Sequence, residues 1–176
     1  TALVEWPVAL SGEFDSDFLR VPSEALIASM KEHQKYFHLQ DSNGKLLPRF
    51  ITIANIESPE PARIVHGNER VIRPRLADAA FFYDTDLKTP LAGRQSVLKK
   101  MTFQHKLGSV HDKVTRVTSL STLIATQIGA KADISAKGAE LAKSDLASEL
   151  VNEFPELQGI AGAYYARAEG LSDEVA

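Results

Sequence analysis

Two pairs of residues could bind a metal ion. His111 and Asp112 stand side by side, and His33 lies five residues before His38. A hydrolytic metal needs several protein ligands that converge from different helices, with one position left open for water. No histidine follows His111, and a helix end predicted between His33 and His38 separates their side chains. We therefore predict no metal site, with His111 and Asp112 on a helix surface.

Basic and aromatic side chains that could bind a nucleic acid form a second set of candidates. Cations neutralise phosphates, and aromatic rings beside them stack on bases. The alternatives are a core position for Phe37, ion pairs of the arginines with Glu69 or Asp78, and a solvated helix face for the lysines. The candidates fall into three groups: Lys31, His33, Lys35 and Tyr36; Arg70, Arg73 and Arg75; and Lys99, Lys100, Lys106, Lys113 and Arg116.

Several kinds of catalysis lack the residues that they need. The chain contains no cysteine, and it has no glycine-rich loop followed by Lys-Ser or Lys-Thr for a phosphate. No serine, histidine and acidic residue have a spacing that suggests nucleophilic catalysis. No apolar run reaches the length of a membrane span. With 44% hydrophobic and 24% charged residues, the composition is that of an ordinary globular protein, and we predict that the chain performs no catalysis by itself.

Charge is segregated along the chain, although the net charge is only −3. Residues 91–117 carry six basic side chains and one acidic side chain, whereas residues 132–176 carry three basic and nine acidic ones. An acidic C-terminal third repels a polyanion, so a nucleic acid is predicted to approach the middle of the chain.

Strands and turns are predicted for the first part of the chain. Asn43 and Gly44 form a strong hairpin signal, and Pro22 with an acidic residue in the next turn is typical of a helix start. Apolar and β-branched residues predict strands around the hairpin and near the beginning of the chain. The predicted elements are a strand over Val4–Leu10 that ends at Ser11 and Gly12, a helix from Pro22, and strands over Lys35–Leu39 and Arg49–Ile56.

A long amphipathic run, residues 67–88, is predicted to contain the helix around which the chain is organised. Gly67 and Asn68 favour a turn, and Pro74 is tolerated best in a first helical turn. The helix is therefore predicted to begin within a few residues of Arg73. Since the helix dipole disfavours cations at that end, the three arginines there are predicted to bind an anion. The predicted apolar face contains Leu76, Ala79, Ala80 and Tyr83.

Only helices are predicted after Lys88. An apolar stripe recurs every three or four residues from Leu107 to Ile128, and Gly129 would cap the C-terminal end of that helix. The predicted helices cover residues 107–128, Ala136–Val151 and Leu157–Ala168, in a helical domain of residues 89–176 that follows an α+β domain of residues 1–88.

Four motifs lie in order along nearly the whole chain: KEHQKYF at residues 31–37, RPRLADAAFF at 73–82, FQHKLGSVHDK at 103–113 and EFPELQG at 153–159. They closely resemble the β subunit of bacterial two-subunit glycyl-tRNA synthetases. Several separate motifs in the right order are far more specific than any single one.

The resemblance implies that the chain is an internal piece of a longer subunit, and a start at Thr1 without a methionine fits that expectation. In this family the α subunit carries the class II catalytic site and uses ATP with Mg²⁺. The β subunit mainly holds tRNA, through a B3/B4-like domain and an HD-like helical domain. The expected partners are glycine tRNA and the α subunit, in a cytoplasmic α2β2 assembly. No cofactor and no catalytic residue is expected in this chain.

The HD-like resemblance departs from a working HD phosphohydrolase at the metal ligands. Lys113 falls where the first metal-binding histidine would be expected, and Ser144 with Asp145 falls where the histidine-aspartate pair would be. Only Asp145 matches, so the resemblance implies a catalytically inactive HD-like domain. Two other functions stay open at this point: a metal-dependent HD phosphohydrolase, and a scaffold that binds another subunit instead of RNA.

Overall fold

The computed structural model of the chain describes residues 4–176, and the side chain of His33 lies outside the described part. The predicted α+β class is confirmed. The chain divides into two compact units, of which unit 1 ends at Phe81 and unit 2 comprises Phe82–Ala176. The domain boundary predicted between residues 88 and 89 falls inside unit 2. That residues 1–88 and 89–176 are separate domains stays a prediction.

Unit 1 contains a three-stranded antiparallel sheet. Its strands, with β3 in the centre, are β1 (Val8–Glu13), β2 (Phe37–Gln40) and β3 (Leu46–Ala54). The turn predicted at Asn43 and Gly44 joins β2 to β3. The Asp41 carboxylate accepts hydrogen bonds from the N–H groups of Asn43 and Lys45, at 2.8 and 2.9 Å, and Gly44 has a φ of 79°. One local carboxylate therefore holds the turn together.

Both ends of β1 differ from the prediction. The strand begins at Val8, directly after Pro7, and continues through Ser11 and Gly12, where Gly12 pairs with Phe50. Proline has no N–H to donate to a neighbouring strand, which explains the late start. Gly12 does not end the strand. It makes room for the Phe50 ring instead, since a Cβ on Gly12 would lie 2.5 Å from the nearest ring carbon.

The helix predicted from Pro22 is present. It consists of α1 (Ser23–Ala28) and a π-helical turn over Ser29–His33. Leu26 and Met30 are completely buried, so this helix packs its apolar side into the core.

The helix at the centre of the sequence prediction is longer than predicted. This helix, α2, runs over Pro61–Asp86, so the predicted start near Arg73 is wrong. Gly67 and Asn68 lie inside it. The Asn68 amide donates to the carbonyl one turn earlier at 2.8 Å, and its oxygen accepts the Tyr36 hydroxyl at 2.5 Å. These contacts hold Asn68 in the helix despite its preference for turns.

Pro74 also lies inside α2. Pro74 and Arg70 are exposed, so the Arg70 carbonyl, which loses its helical partner at Pro74, can be hydrated. Arg70, Arg73 and Arg75 consequently lie in mid-helix, and the prediction based on the helix dipole is wrong for them. At 100° per residue, Arg73 and Arg75 point about 160° apart. The predicted apolar face is confirmed by the burial of Leu76, Ala79 and Ala80.

Unit 2 is mainly helical. Its helices are α3 (Gln95–Leu98), α4 (Val110–Gln127), α5 (Ala132–Leu141), α6 (Glu149–Glu153) and α7 (Ile160–Ala168). A short antiparallel hairpin of β4 (Thr102–Gln104) and β5 (Gly108–Ser109) lies between α3 and α4. The prediction of helices alone after Lys88 is therefore wrong. The Val110 N–H bonds to the Met101 carbonyl at 2.8 Å, which closes the base of the hairpin just before α4.

The helix α4 ends at Gly129 as predicted, but only part of its apolar stripe is buried. Gly129 has a φ of 70°, and the Ala130 N–H bonds to the Ala125 carbonyl at 2.8 Å, which forms a Schellman cap. Val114 and Ala125 are buried. The large side chains that remain exposed are Val117, Leu120, Leu123, Ile124 and Ile128.

The helix predicted over Ala136–Val151 is three separate segments. These are α5, a 3₁₀ turn over Ser144–Ala147, and α6. Ser148 separates the last two, because its hydroxyl donates to the Asp145 carbonyl at 2.6 Å and accepts the Val151 N–H at 3.2 Å. A buried serine that caps a helix start favours a break over a continuous helix.

Candidate nucleic-acid surface

The third group of basic candidates lies around the β4–β5 hairpin and the beginning of α4. Lys99 and Lys100 precede β4, Lys106 lies in the hairpin turn, and Lys113 and Arg116 lie in the first turns of α4. Within residues 4–176 none of the five forms an ion pair. We call these five side chains the basic hairpin surface. Cations without a protein carboxylate are available for an external anion.

The hairpin turn holds the backbone of this surface in place. The Gln104 side-chain oxygen accepts the Lys106 N–H at 2.7 Å, and the Gln104 carbonyl accepts the Leu107 N–H at 2.9 Å. Gly108 has a φ of 86°, and a Cβ there would collide with the Asp112 carboxylate. Glycine is therefore required where the hairpin turns into α4.

An aromatic ring lies among these cations. The Phe103 ring is 41% exposed, and the Lys113 ammonium lies 4.3 Å from its centroid. This is a cation–π contact. It holds the Lys113 ammonium beside a ring that is still partly exposed to solvent. Exposed aromatic rings beside cations are typical of surfaces that stack bases and neutralise phosphates.

Asp112 has a structural role at the start of α4. Its carboxylate accepts the Ser109 N–H and the Ser109 hydroxyl, both at 2.8 Å, while the Ser109 oxygen accepts the Asp112 N–H at 3.1 Å. The two residues form a capping box. Hydrogen bonds from the Ser109 N–H and hydroxyl lower the pKa of Asp112. His111 and Lys99 lie on the wall of an adjoining open groove of about 700 Å³.

Replacing Asp112 with Asn should lower the Tm of the chain by a few degrees at neutral pH, because the charged acceptor of the capping box is lost. A carboxyl group with a lowered folded-state pKa stabilises the protein above its unfolded pKa of about 3.9, and this contribution disappears as the pH falls through the folded-state pKa. The Tm difference between wild type and Asp112→Asn should therefore shrink in acid. Thermal unfolding followed by circular dichroism between pH 7 and pH 2 measures it. Asp78→Asn, an exposed position within α2, is the control, and a difference that persists at the acid end would contradict the assignment.

The first group of basic and aromatic candidates is divided by burial. Tyr36 is buried, and its ring stacks on Phe50 with the centroids 4.8 Å apart. Burial raises the pKa of the Tyr36 hydroxyl. Tyr36 is therefore a core residue, and Phe37 is exposed. The sequence had left a core position open for Phe37, and the structure gives that position to Tyr36. Lys31 and Lys35 are exposed, and the Lys35 ammonium lies 3.8 Å from the Glu32 carboxylate. The side chain of His33, the other candidate of this group, lies outside the described part.

The second group, in α2, does not form the internal ion pairs that the sequence left open as an alternative to RNA contact. Arg70, Arg73 and Arg75 are exposed, and in the described part of the chain none of them is paired with Glu69 or Asp78. Their contact with RNA stays a prediction, as it does for the first group. Because they project from different sides of α2, they cannot all contact one phosphate backbone in the same way.

Unit 2 contains a buried charged network that the sequence analysis missed. Asp86 and Arg94 are 4% and 5% exposed, and their charged groups lie 3.2 Å apart. Asp86 also accepts the N–H groups of Glu149 and Leu150, at 2.9 and 3.0 Å, and the Tyr165 hydroxyl at 2.8 Å. Burial and the Asp86 charge raise the pKa of Tyr165, which keeps it a donor. Arg94, counted among the basic residues of the 91–117 segment, is therefore unavailable to a polyanion.

Asp145, the residue that matches the HD motif, also has a structural role. It is 1% exposed, and one carboxylate oxygen accepts the N–H groups of Gly159 and Gly162 at 2.5 and 3.3 Å. These N–H groups belong to the beginning of α7, so the carboxylate caps that helix. Among residues 4–176 no group of three or more His, Cys, Asp or Glu side chains is arranged to hold a metal ion.

Comparison with known proteins identifies the class of protein to which the chain belongs. The chain matches, over residues 1–176, a family of aminoacyl-tRNA synthetase subunits. It belongs to the glycyl-tRNA synthetase beta subunit family. None of the described helices has both the length and the apolar character needed to cross a membrane.

Three relatives illustrate the similarity, and each is a glycine–tRNA ligase beta subunit. The chain is 58% identical over 176 residues to the protein of Chromohalobacter salexigens and covers 26% of it. It is 55% identical over 176 residues to that of Marinobacter nauticus and covers 25%. It is 56% identical over 176 residues to that of Stutzerimonas stutzeri and covers 26%. In each case the whole chain is matched, so it spans about a quarter of the length of these relatives.

Proposed function

We propose that this chain helps to hold glycine tRNA on a glycyl-tRNA synthetase, with the basic hairpin surface in contact with the tRNA backbone. The observation that carries the proposal is the exposed Phe103 ring with the Lys113 ammonium above it, among cations without ion pairs. Contacts from lysine and arginine to phosphates position a nucleic acid without identifying its bases. The surface thus contributes affinity and orientation, and other parts of the enzyme select the tRNA.

In the complete enzyme, the activation of glycine with ATP and Mg²⁺ and its transfer to tRNA belong to the α subunit, in an α2β2 assembly in the cytoplasm. This part of the proposal rests on the family to which the chain belongs. In this proposal, residues 1–176 supply no catalytic group to the reaction. Asp112 and Asp145, the two carboxylates nearest to the HD-type positions, are both engaged as helix caps.

The proposal includes an HD-like domain without metal chemistry over residues 89–176 and part of a B3/B4-like region over residues 1–88, and this part rests on the resemblance of the sequence motifs. Lys113, at the position of the expected metal-binding histidine, contacts Phe103. A lysine ammonium repels a metal cation and attracts a phosphate. The change from ligand to lysine therefore favours anion binding over metal-dependent hydrolysis.

Titration of the complete α and β subunits with glycine tRNA across a salt series tests the proposal. The triple variant Lys99→Ala, Lys100→Ala, Lys106→Ala should lower the slope of log affinity against log salt by about one unit for each phosphate that these lysines neutralise in the wild type. Phe103→Ala should weaken binding at every salt concentration, by about 1–3 kcal/mol if a base stacks on the ring, and leave the slope unchanged.

The matched control is the triple variant Lys131→Ala, Lys137→Ala, Lys143→Ala. It removes the same charge from the acidic C-terminal third and the residue directly before it, so a slope that is the same as in wild type assigns the effect to local contacts. If both triple variants change the slope equally, net charge explains the result and the assignment fails. If neither changes it, the surface does not contact tRNA, and unit 2 is a scaffold within the subunit.

A further inference from the structure

One face of α4 is apolar and exposed. Val117, Leu120, Ile124 and Ile128, which we call the α4 apolar face, are 43% to 73% exposed. At 100° per residue they lie within about 80° of one another around the helix. The buried side of α4 is next to this face, where Val114 and Ala125 lie and the Ser121 hydroxyl donates to the Ser135 carbonyl of α5 at 3.3 Å.

A groove of about 310 Å³ runs along the α4 apolar face beside α5. Its lining contains no charged side chain, and the side opposite α4 consists of small residues, Ala130 from the turn before α5 and Ser135 from α5. Apolar positions three and four residues apart beside small residues form the surface into which a third helix packs. A wall without cations does not attract RNA.

We infer that an amphipathic helix from the remainder of the same β subunit packs on the α4 apolar face. The chain spans about a quarter of the length of its relatives, so the other three quarters of such a subunit are available to cover this face. A segment tethered to the same chain acts at a high effective concentration, which a second copy or another subunit does not reach at dilution. The apolar lining requires an occupant with its own apolar stripe and few charges at the contact.

Thiol labelling of the complete β subunit tests this inference, since residues 1–176 contain no cysteine. Leu120→Cys and Ile128→Cys place a thiol on the α4 apolar face. Thr115→Cys places one on the same helix, about 140° from Leu120, and is the matched control. Each protein is alkylated under native conditions, and the modified peptide is quantified by mass spectrometry, so cysteines elsewhere in the subunit do not interfere.

Leu120→Cys and Ile128→Cys should react about tenfold or more slowly than Thr115→Cys in the β subunit alone, and equally fast after denaturation. The protection should not depend on protein concentration. Equal rates for all three native thiols would overturn the inference. Protection that appears only at high concentration would assign the face to a second copy, and protection that appears only after addition of the α subunit would assign it to that subunit. Either result also overturns the inference, and none of these outcomes depends on tRNA binding.

Discussion

Replacing Asp86 with Asn should destabilise unit 2 by about 3–5 kcal/mol, the cost typical of removing one partner from a buried ion pair. The Arg94 guanidinium would keep its charge in a buried site without the carboxylate. Its remaining hydrogen-bond acceptors are neutral backbone oxygens, namely the carbonyls of Thr89 and Ala147, at 3.2 and 3.1 Å, and that of residue 86 itself. The Tyr165 ring, whose centroid lies 5.3 Å from the guanidinium carbon, is also uncharged. An asparagine amide also directs N–H donors toward the N–H groups of α6. The substitution therefore weakens several hydrogen bonds at once.

Urea unfolding followed by circular dichroism gives the change in stability, and hydrogen exchange at the Leu150 N–H reports the local opening. The control is Glu174→Gln, which breaks the exposed ion pair between the Lys131 ammonium and the Glu174 carboxylate, 2.7 Å apart. Because solvent screens such a pair, this change should lower the stability far less than Asp86→Asn. A cost for Asp86→Asn as small as that of the control would show that the network is not a stabilising unit. In a double-mutant cycle, Arg94→Met should recover part of the stability, because it removes the unpaired charge.

Replacing Gly12 with Ala should destabilise unit 1 by about 1–3 kcal/mol, the usual cost of inserting a methyl group into a packed core. The new Cβ would lie 2.5 to 3.1 Å from three carbons of the Phe50 ring. Phe50 has no exposed surface and is held against Tyr36, so its ring cannot move aside without disturbing that contact. The added methyl group must displace β1 or the ring.

Gly67→Ala is the matched control for Gly12→Ala, since it adds the same methyl group in the same unit. Apart from its chain neighbours and the backbone of the adjacent helical turns, no atom lies within 4 Å of a Cβ at Gly67, which is an interior position of α2. Alanine is the better helix former, so this change should stabilise unit 1 by about 0.5–1 kcal/mol. Thermal unfolding of both variants should thus show shifts of opposite sign. A shift in the same direction would mean that the Phe50 contact does not explain Gly12.

The sequence by itself determined the features whose contacts are local. The β2–β3 turn depends on Asp41, Asn43 and Gly44, and Gly129 ends α4 through a cap made within one turn. The group of lysines between residues 99 and 113 was also visible, because they are close in sequence and lie on consecutive elements, from the residues before β4 to the start of α4. The family motifs added the expected function, which no local pattern of this chain could supply.

Tertiary contacts decided the features for which local signals were misleading. Gly12, a residue typical of turns, lies in a strand because the Phe50 ring needs its space, and Asn68 stays helical because it bonds to Tyr36. Arg94 belongs to the predicted basic segment, yet it is paired with a buried carboxylate. Local propensities differ by only about 1 kcal/mol per residue, which is less than such packing and hydrogen-bonding contacts contribute.

The roles of individual candidate residues also depended on distant parts of the chain. Tyr36 and Phe37 are adjacent aromatic residues, and only the position of Phe50 determines which of the two is buried. Asp86 and Tyr165 are 79 residues apart in the sequence and share one hydrogen bond. No periodicity predicts a contact of that kind. Residue type and spacing therefore indicated which side chains could bind RNA, and the tertiary structure decided which of them are exposed without an ion pair.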